Sequence, residues 1–322
     1  MKRVRLVALL LAALPVLAFL GFAANWYMPS VMEEERVFIV PQGASLTAIA
    51  RKLEEEDFIS SADSFLLGAK IFGGAAPIKA GEFLLPTSSS GSAILSTLQE
   101  GDVMMRFVTI PEGLPSVMVR ERLMAEPLLT GEVGEPAEGS VLPDSYDFER
   151  GESRQAVLDR MQAAMTAYLA EAWAKRGPDI AVDTPQKAVI LASVVEKETG
   201  VPGERRMVAG LYSNRLKIGM RLQADPTIIY PITQGKPLGR RIRQSEIAAV
   251  NGYNTYSMAG LPRGAITNPG RESIAAVLNP AKTGALYMVA DGSGGHAFAA
   301  TLDEHNTNVD KWRAIRRERG EM

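Results

Sequence analysis

Two carboxylates near the end of one predicted helix are the residues whose spacing could do chemistry. Thr184-Pro185 is a helix start, with Thr as N-cap and Pro at the first helical position. The spacing predicts a helix over 185–199, closed by Gly200 as a left-handed cap. Along it Ala188, Leu191, Val195 and Glu198 fall three and four apart and form one stripe. Glu196 lies with Val189, Ala192 and Ser193 on a different side, so the two acids are not a pair. Glu198 ends an apolar stripe in the last helical turn, where the helix dipole disfavours negative charge. Apolar neighbours add a desolvation cost for the ionised form. Both effects raise its pKa, and a carboxylic acid held neutral near pH 7 can serve as a general acid. The competing reading of Glu-Lys-Glu is a solvated helix end.

Downstream, polar groups alternate with aromatics. Asn214-Arg215-Leu216 precedes Arg221-Leu222-Gln223-Ala224-Asp225-Pro226-Thr227, Tyr230, and then Tyr253-Asn254-Thr255-Tyr256. Groups that hydrogen-bond hydroxyls and amides, interleaved with rings that stack on sugar faces, suit a carbohydrate cleft. Each fragment alone also reads as a turn; Asp225-Pro226 and Asn268-Pro269-Gly270 are turn signals without any function. His296 follows Gly292-Ser293-Gly294-Gly295, but no Lys and helix follow in the P-loop pattern. A tight turn presenting His296 at a cleft edge and a structural histidine are the two readings of that segment.

Composition narrows the classes. The 322 residues suggest two or three domains, and 46% hydrophobic with 22% charged residues excludes a disordered chain. Cys 0 removes thiol chemistry, disulfides and thiolate metal sites, and two histidines argue against a multi-histidine metal centre. Neither a metal nor a cofactor is expected. Lys+Arg 35 against Asp+Glu 37, a net charge of -2, argues against nucleic acid as a partner.

The elements that must position these residues follow from the rest of the chain. Lys2, Arg3 and Arg5 precede an uncharged run whose apolar heart is 6–24, followed by Trp26 and Tyr27 and then the acidic 33–35. About 20 apolar residues cross a bilayer core, so residues 6–28 read as a membrane anchor with Trp26 and Tyr27 as its interfacial belt. The basic end stays cytoplasmic, which places the bulk of the chain outside. A cleaved signal peptide, with Gly21-Phe22-Ala23 as its processing site, is the alternative. Residues 37–40 read as a strand, and Ser45 and Ser60/Ser61 open two helices. A strand over 81–86 and a helix over 93–98 follow. Strand–helix–helix–strand resembles a LysM-like glycan-binding module. A shift of 70 residues overlays Phe38-Ile39-Val40-Pro41-Gln42-Gly43 on Val108-Thr109-Ile110-Pro111-Glu112-Gly113, with Ile49 on Val119 and Leu53 on Leu123. Residues 125–140 read as a surface loop and 153–175 as a long helix ended by Gly177-Pro178. A basic C-terminal helix over 311–319 reads as solvated, with contact to an anionic surface as the alternative.

Residues 192–199, the Arg-Leu-Gln-x-Asp-Pro-Thr stretch and Tyr253-Asn254-Thr255-Tyr256 resemble the YceG-like endolytic murein transglycosylase family. The likeness continues through Gly260-Leu261-Pro262, Asn279-Pro280-Ala281, Val289-Ala290-Asp291, Gly294-Gly295-His296 and His305-Asn306. Arg263 departs from the family's second proline after Gly-Leu-Pro.

The resemblance implies cleavage, without water, of the β-1,4 bond between N-acetylmuramic acid and N-acetylglucosamine. The catalytic acid carries over to Glu198, with Glu196, Gln223, Asp225, Tyr253, Asn254, Tyr256 and His296 as residues that support it or bind sugar. It further implies peptidoglycan glycan strands as substrate, cell-wall synthases (penicillin-binding proteins) as partners and a role in terminating glycan polymerisation. The implied location is a single-pass cell inner membrane protein, its bulk on the periplasmic side. A non-catalytic glycan-binding scaffold and a water-using muramidase are the alternatives. The expected fold is α+β: an anchor (1–32), a LysM-like domain (37–102), a second strand–Pro-x-Gly–helix element with its loop (103–150) and a mixed α+β catalytic domain (151–322).

Overall fold

The computed structural model describes residues 2–29 and 34–321, with the side chains of residues 2–12 outside the description. The chain splits into two compact units, Met1–Arg106 with Phe148–Gly151, and Phe107–Asp147 with Glu152–Met322. It is a mixed α+β protein, and among the described residues every sheet is two-stranded.

The first unit runs α1 (Lys2–Tyr27), β1 (Arg36–Val40), α2 (Leu46–Glu55), α3 (Ala62–Phe72), β2 (Gly81–Leu85) and α4 (Gly91–Glu100). The serines before α2, α3 and α4 are N-caps: Ser45, Ser61 and Ser90 accept from the backbone N–H of Ala48, Ser64 and Ala93. Capping by Ser90 starts α4 at Gly91, earlier than the apolar residues alone indicate. β1 and β2 pair antiparallel with Phe38 opposite Phe83, and both rings are fully buried with Ile49, Leu53 and Leu98. Glu82 on β2 is buried too, hydrogen-bonded by Arg106 at 3.0 Å and by Arg150. Burial pushes its carboxyl up, but the two guanidinium groups outweigh that and hold it below the ordinary carboxylate value.

α1 has 26 residues, and Leu14, Val16, Leu17, Phe19 and Leu20 are exposed along it. Among the described residues no helix is long and apolar enough to cross a membrane. The side chains of the basic stub, and residues 30–33 with the first of the acidic run, lie outside those described. Trp26, expected as an interfacial belt residue, is instead buried in the core of this unit, 5% exposed. Two glycines make the slot: a Cβ on Gly68 would come within 2.1 Å of the indole and one on Gly91 within 3.0 Å. Phe65 packs on the same ring at 5.6 Å, while Tyr27 stays exposed.

The second unit is mainly helical. It holds β3 (Arg106–Thr109, entering from the first unit), α5 (Ser116–Ala125), β4 (Ser145–Phe148), α6 (Arg154–Ala174) and α7 (Pro185–Glu198). A short 3-10 turn, Pro202–Glu204, leads to α8 (Arg205–Lys217), α9 (Pro226–Thr233), α10 (Gln244–Ile247) and α11 (Arg271–Leu278). A hairpin of β5 (Tyr287–Ala290) and β6 (His296–Ala299) and the terminal α12 (Leu302–Glu318) complete it. β3 pairs with β4; β5 and β6 are antiparallel with Ala290 opposite His296.

α7 is the central helix. Every residue from Leu191 to Val195 is buried, beyond the single stripe expected, because α6, α8 and α11 surround it. The 70-residue recurrence carries through to local structure. Gly43 and Gly113 both take positive φ, 73° and 72°, and each turn closes with the same bond, Ala44 N–H to Pro41 O and Leu114 N–H to Pro111 O. Ile49 and Leu53 are buried in one copy, Val119 and Leu123 in the other. The basic tail forms the last turns of α12, which starts earlier than expected because Thr301 and Glu304 make a capping box.

Candidate functional site

The end of α7 differs from expectation. Gly200 is not a left-handed cap; the chain leaves the helix extended at Thr199, φ -140° and ψ 130°. The Thr199 hydroxyl takes over the capping work. It accepts from Val201 N–H at 3.0 Å and donates to Glu204 Oε2 at 3.2 Å.

Glu198, the last residue of α7, turns its carboxyl inward, where Oε1 is sealed from solvent with no hydrogen-bond partner. Burial, with the Asp225 carboxylate next in importance, raises its pKa to about 7. The Tyr212 hydroxyl, in hydrogen-bonding reach, and the Arg215 guanidinium act in the opposite sense and do not overcome burial. Tyr212 on α8 is fully buried, and burial beside Glu198 keeps its phenol protonated well past its ordinary range. Arg215, one turn on, is itself buried. It donates to Leu286 O at 2.6 Å and to Leu222 O at 2.6 Å, and its guanidinium lies 5.5 Å from the Tyr287 ring centre.

Asp225 and Tyr256 join this group. The Tyr256 hydroxyl donates to Asp225 Oδ1 at 2.6 Å, and burial with that carboxylate raises its pKa. The two loops are fastened behind them by Thr227 and Thr255, whose hydroxyls meet at 2.8 Å, and by Ala224 N–H to Thr255 Oγ1 at 3.1 Å. Gln223 sits at φ 53° with an exposed side chain and donates its N–H to Thr255 O at 3.2 Å. Asn254 is fully buried. Its Nδ2 donates to Glu246 O, Ile247 O and Ala249 O, and its Oδ1 accepts from Tyr256 N–H at 2.9 Å. It acts on the site through the loop it pins, with no face left for sugar. Tyr253 packs on Tyr230 at 4.8 Å, with the Arg263 guanidinium 4.6 Å from its ring.

Two predicted residues stand apart from the Glu198 pocket. Glu196 faces α11 instead, its Oε2 accepting from Gly270 N–H at 2.9 Å and its Oε1 3.8 Å from Arg205, which also pairs with Glu112 at 3.0 Å. His296 reaches the end of α7 through an intermediary. Its Nδ1 lies 2.8 Å from Glu204 Oε2 and its N–H donates to Glu204 Oε1 at 2.7 Å.

Tyr212 and Glu204 are contributors that the sequence reading did not name, and Arg215 entered it only within Asn214-Arg215-Leu216, with no role at the acid. Arg215 carries the signal used for Glu198, since Val208, Leu211 and Arg215 repeat at three and four with the charge ending the stripe. Glu204, one acid in a Pro-Gly-Glu turn, carries none. A further buried acid, Glu138 in the 126–144 loop, is pushed up to about 7 by burial despite hydrogen bonds from Ser116 and Tyr230. Among the described residues no cluster of three or more His, Asp or Glu side chains could hold a metal ion.

The cluster thus offers a carboxyl with a pKa raised to about 7 and an unpartnered oxygen, a neighbouring carboxylate and two neutral phenols. That set can move one proton to and from a bound substrate. Comparison with known proteins gives the same region a context. A family model described as the YceG-like family matches residues 38–311. Endolytic murein transglycosylase of Bacillus subtilis is 27% identical over 312 residues, covering 87% of this chain and 85% of that one. Endolytic murein transglycosylase of Streptococcus pneumoniae serotype 2 is 27% identical and covers 84% of this chain, which spans 57% of that longer relative. The crystal structure of a yceG-like protein from Listeria monocytogenes superposes with a TM-score of 0.54 at 26% identity, covering 85% of this chain and 99% of that one.

Proposed function

The chain belongs to the YceG-like family, and on that footing we propose that it is an endolytic lytic transglycosylase of peptidoglycan with Glu198 as its single proton-transfer group. One observation carries the reading: a carboxyl at the end of α7 with a sealed, unpartnered oxygen and a pKa raised to about 7. Such a group holds its proton in a large share of molecules near neutral pH and can ionise and re-protonate there. In the first half of the reaction Glu198 gives its proton to the glycosidic oxygen as the C1–O bond breaks. In the second half the C6 hydroxyl of the same muramoyl residue closes on C1, and its proton returns to the Glu198 carboxylate. The products are a 1,6-anhydromuramoyl end and a free N-acetylglucosamine 4-hydroxyl, with no water consumed. Asp225 and Tyr256 flank the developing positive charge at C1, and Tyr212 and Arg215 steady the carboxylate in its ionised phase.

The alternative with a specific observation behind it is a water-using muramidase. Asp225 supplies a second carboxylate beside Glu198, and two carboxylates are what glycoside hydrolysis ordinarily requires. Digestion of uncrosslinked glycan strands by the full chain, followed by mass spectrometry, separates the two. Ends lighter by one water are expected. Reducing ends would make the protein a muramidase, and intact strands a glycan-binding scaffold.

The wider setting is part of the same proposal. The N-terminal, apolar part of α1 anchors the protein in the inner membrane with its bulk on the periplasmic side, where it cuts nascent strands beside the synthases and so ends their polymerisation. The length of α1, about 39 Å at 1.5 Å per residue, and its exposed Leu14, Val16, Leu17 and Leu20 support the anchor. The β1-α2-α3-β2 order supports a LysM-like module for the small unit.

The pH profile tests the acid assignment separately. Activity needs protonated Glu198, so it falls as pH rises through about 7. Asp225→Asn removes a negative neighbour that favours the protonated form. The alkaline limb of kcat against pH is then expected to move toward lower pH; a limb that stays in place would mean that another group is the acid.

A further inference from the structure

We propose that Glu204 is a positioning residue that fixes the ring of His296 with its proton on Nδ1, so that the bare Nε2 accepts a hydrogen bond from a sugar O–H or N–H bound outside the Glu198 pocket, at the β5–β6 hairpin; this rests on the transglycosylase reading. Four observations converge on it. Glu204 grips His296 at two points, Oε1 on the backbone N–H at 2.7 Å and Oε2 on Nδ1 at 2.8 Å. A carboxylate is acceptor only, so its partner nitrogen carries the proton and the lone pair of a neutral ring is left on Nε2. Among the described residues Nε2 has no hydrogen-bond partner, and the side chain is 20% exposed.

The turn before His296 is shaped for this grip. Gly292 and Gly294 take φ of 87° and 101°, and a Cβ on Gly295 would meet Glu204 Oε1 at 2.4 Å and push the carboxylate away. The same Glu204 Oε2 accepts from the hydroxyl of Thr199, the residue next to Glu198. One carboxylate therefore ties the β5–β6 hairpin to the end of the helix that carries the acid. A ring fixed in this way offers the glycan a hydrogen bond without loss of side-chain freedom on binding.

Glu204→Gln tests this with little change of shape. While its amide oxygen keeps the His296 N–H, its NH2 faces Nδ1 and demands a lone pair there, which moves the ring proton to Nε2. The readout is 15N NMR of the imidazoles of the full chain under mildly alkaline conditions, with His296→Gln assigning which of the two histidines gives each signal. The parent is expected to carry its proton on Nδ1 and the variant on Nε2. With glycan strands, KM is expected to rise about tenfold in both variants, the value of one hydrogen bond, with kcat changed far less. A parent ring already protonated on Nε2, or an unchanged KM in Glu204→Gln, would overturn the proposal. If the parent releases no anhydro ends, the transglycosylase reading fails, while the tautomer measurement still decides what Glu204 does to the ring.

Discussion

Replacing Glu198 by glutamine is expected to slow turnover by about 10²–10⁴-fold, the usual worth of general acid–base assistance, and to make the protein more stable above pH 7. The two effects have one cause. Glutamine keeps the shape and a hydrogen-bonding oxygen but has no proton to give. Its effect on stability follows from linkage. The folded-state pKa of Glu198 is about 7 against an ordinary 4.5. Between those values the folded protein holds a proton that the unfolded chain has lost, so stability falls as pH rises across that window. At 1.36 kcal/mol per pH unit the full penalty is up to about 3 kcal/mol, and the glutamine variant does not incur it. Urea unfolding near pH 5 and pH 8 is expected to show the parent weakening over that range more than the variant. Glu138, with its pKa also at about 7, leaves a residual slope in both. A variant less stable than the parent at pH 8 would contradict a dry, neutral acid at this position. Anhydro ends released at the parental rate would remove Glu198 from the mechanism.

The second large effect is expected at a residue that touches no substrate. Asn254→Ala takes the shared donor from Glu246 O, Ile247 O and Ala249 O and the acceptor from Tyr256 N–H, all partly buried, with Glu246 O keeping only the backbone N–H of Ala249. Stranding buried polar groups costs about 1–3 kcal/mol each before relaxation, so a loss of about 2–4 kcal/mol is expected after the loop adjusts. Activity is expected to fall with it, because the same loop presents Tyr256 to Asp225 and locks Thr255 on Thr227. Hydrogen exchange is the discriminating measurement. Amides of 253–257 are expected to lose protection first, while those of α7 keep theirs. Unchanged melting and unchanged exchange would show that the loop is held by something else.

These two residues mark where sequence reasoning carried and where it stopped. Glu198 was legible because a helix period is a local property: Thr184-Pro185 sets the start, and counting threes and fours from Ala188 reaches the acid. Ser45 and Ser61 were legible as helix openers for the same reason, whereas Ser90 and Ser153 cap helices whose starts were read at 93 and 153. Gly200 misled because glycine after a helix is only permission for a left-handed turn. Thr199 found partners in Val201 and Glu204 that stabilise an extended exit. Asn254 could be seen as important but not as a peg, since its three acceptors lie five to eight residues back in a loop without periodicity. Trp26 looked like a belt residue because composition cannot reveal that glycines 42 and 65 positions further on leave a slot for its ring. Glu204 and Tyr212 gain their meaning only from tertiary neighbours.

That slot has a mechanical consequence. With the indole seated between Gly68 and Gly91, and Phe22 resting on Phe72 at 6.3 Å, the final turns of α1 belong to the core of the small unit. The helix is therefore a post and not a tether: it offers no swivel at its junction with α3 and α4, and any tilt of the post tilts the unit with it. A shortened chain begun at residue 34 would remove a buried tryptophan, a loss of about 3–5 kcal/mol if it behaves as a large core truncation. It would also bare Phe65 and Phe72, so a shortened version that keeps this core has to begin on the N-terminal side of Trp26.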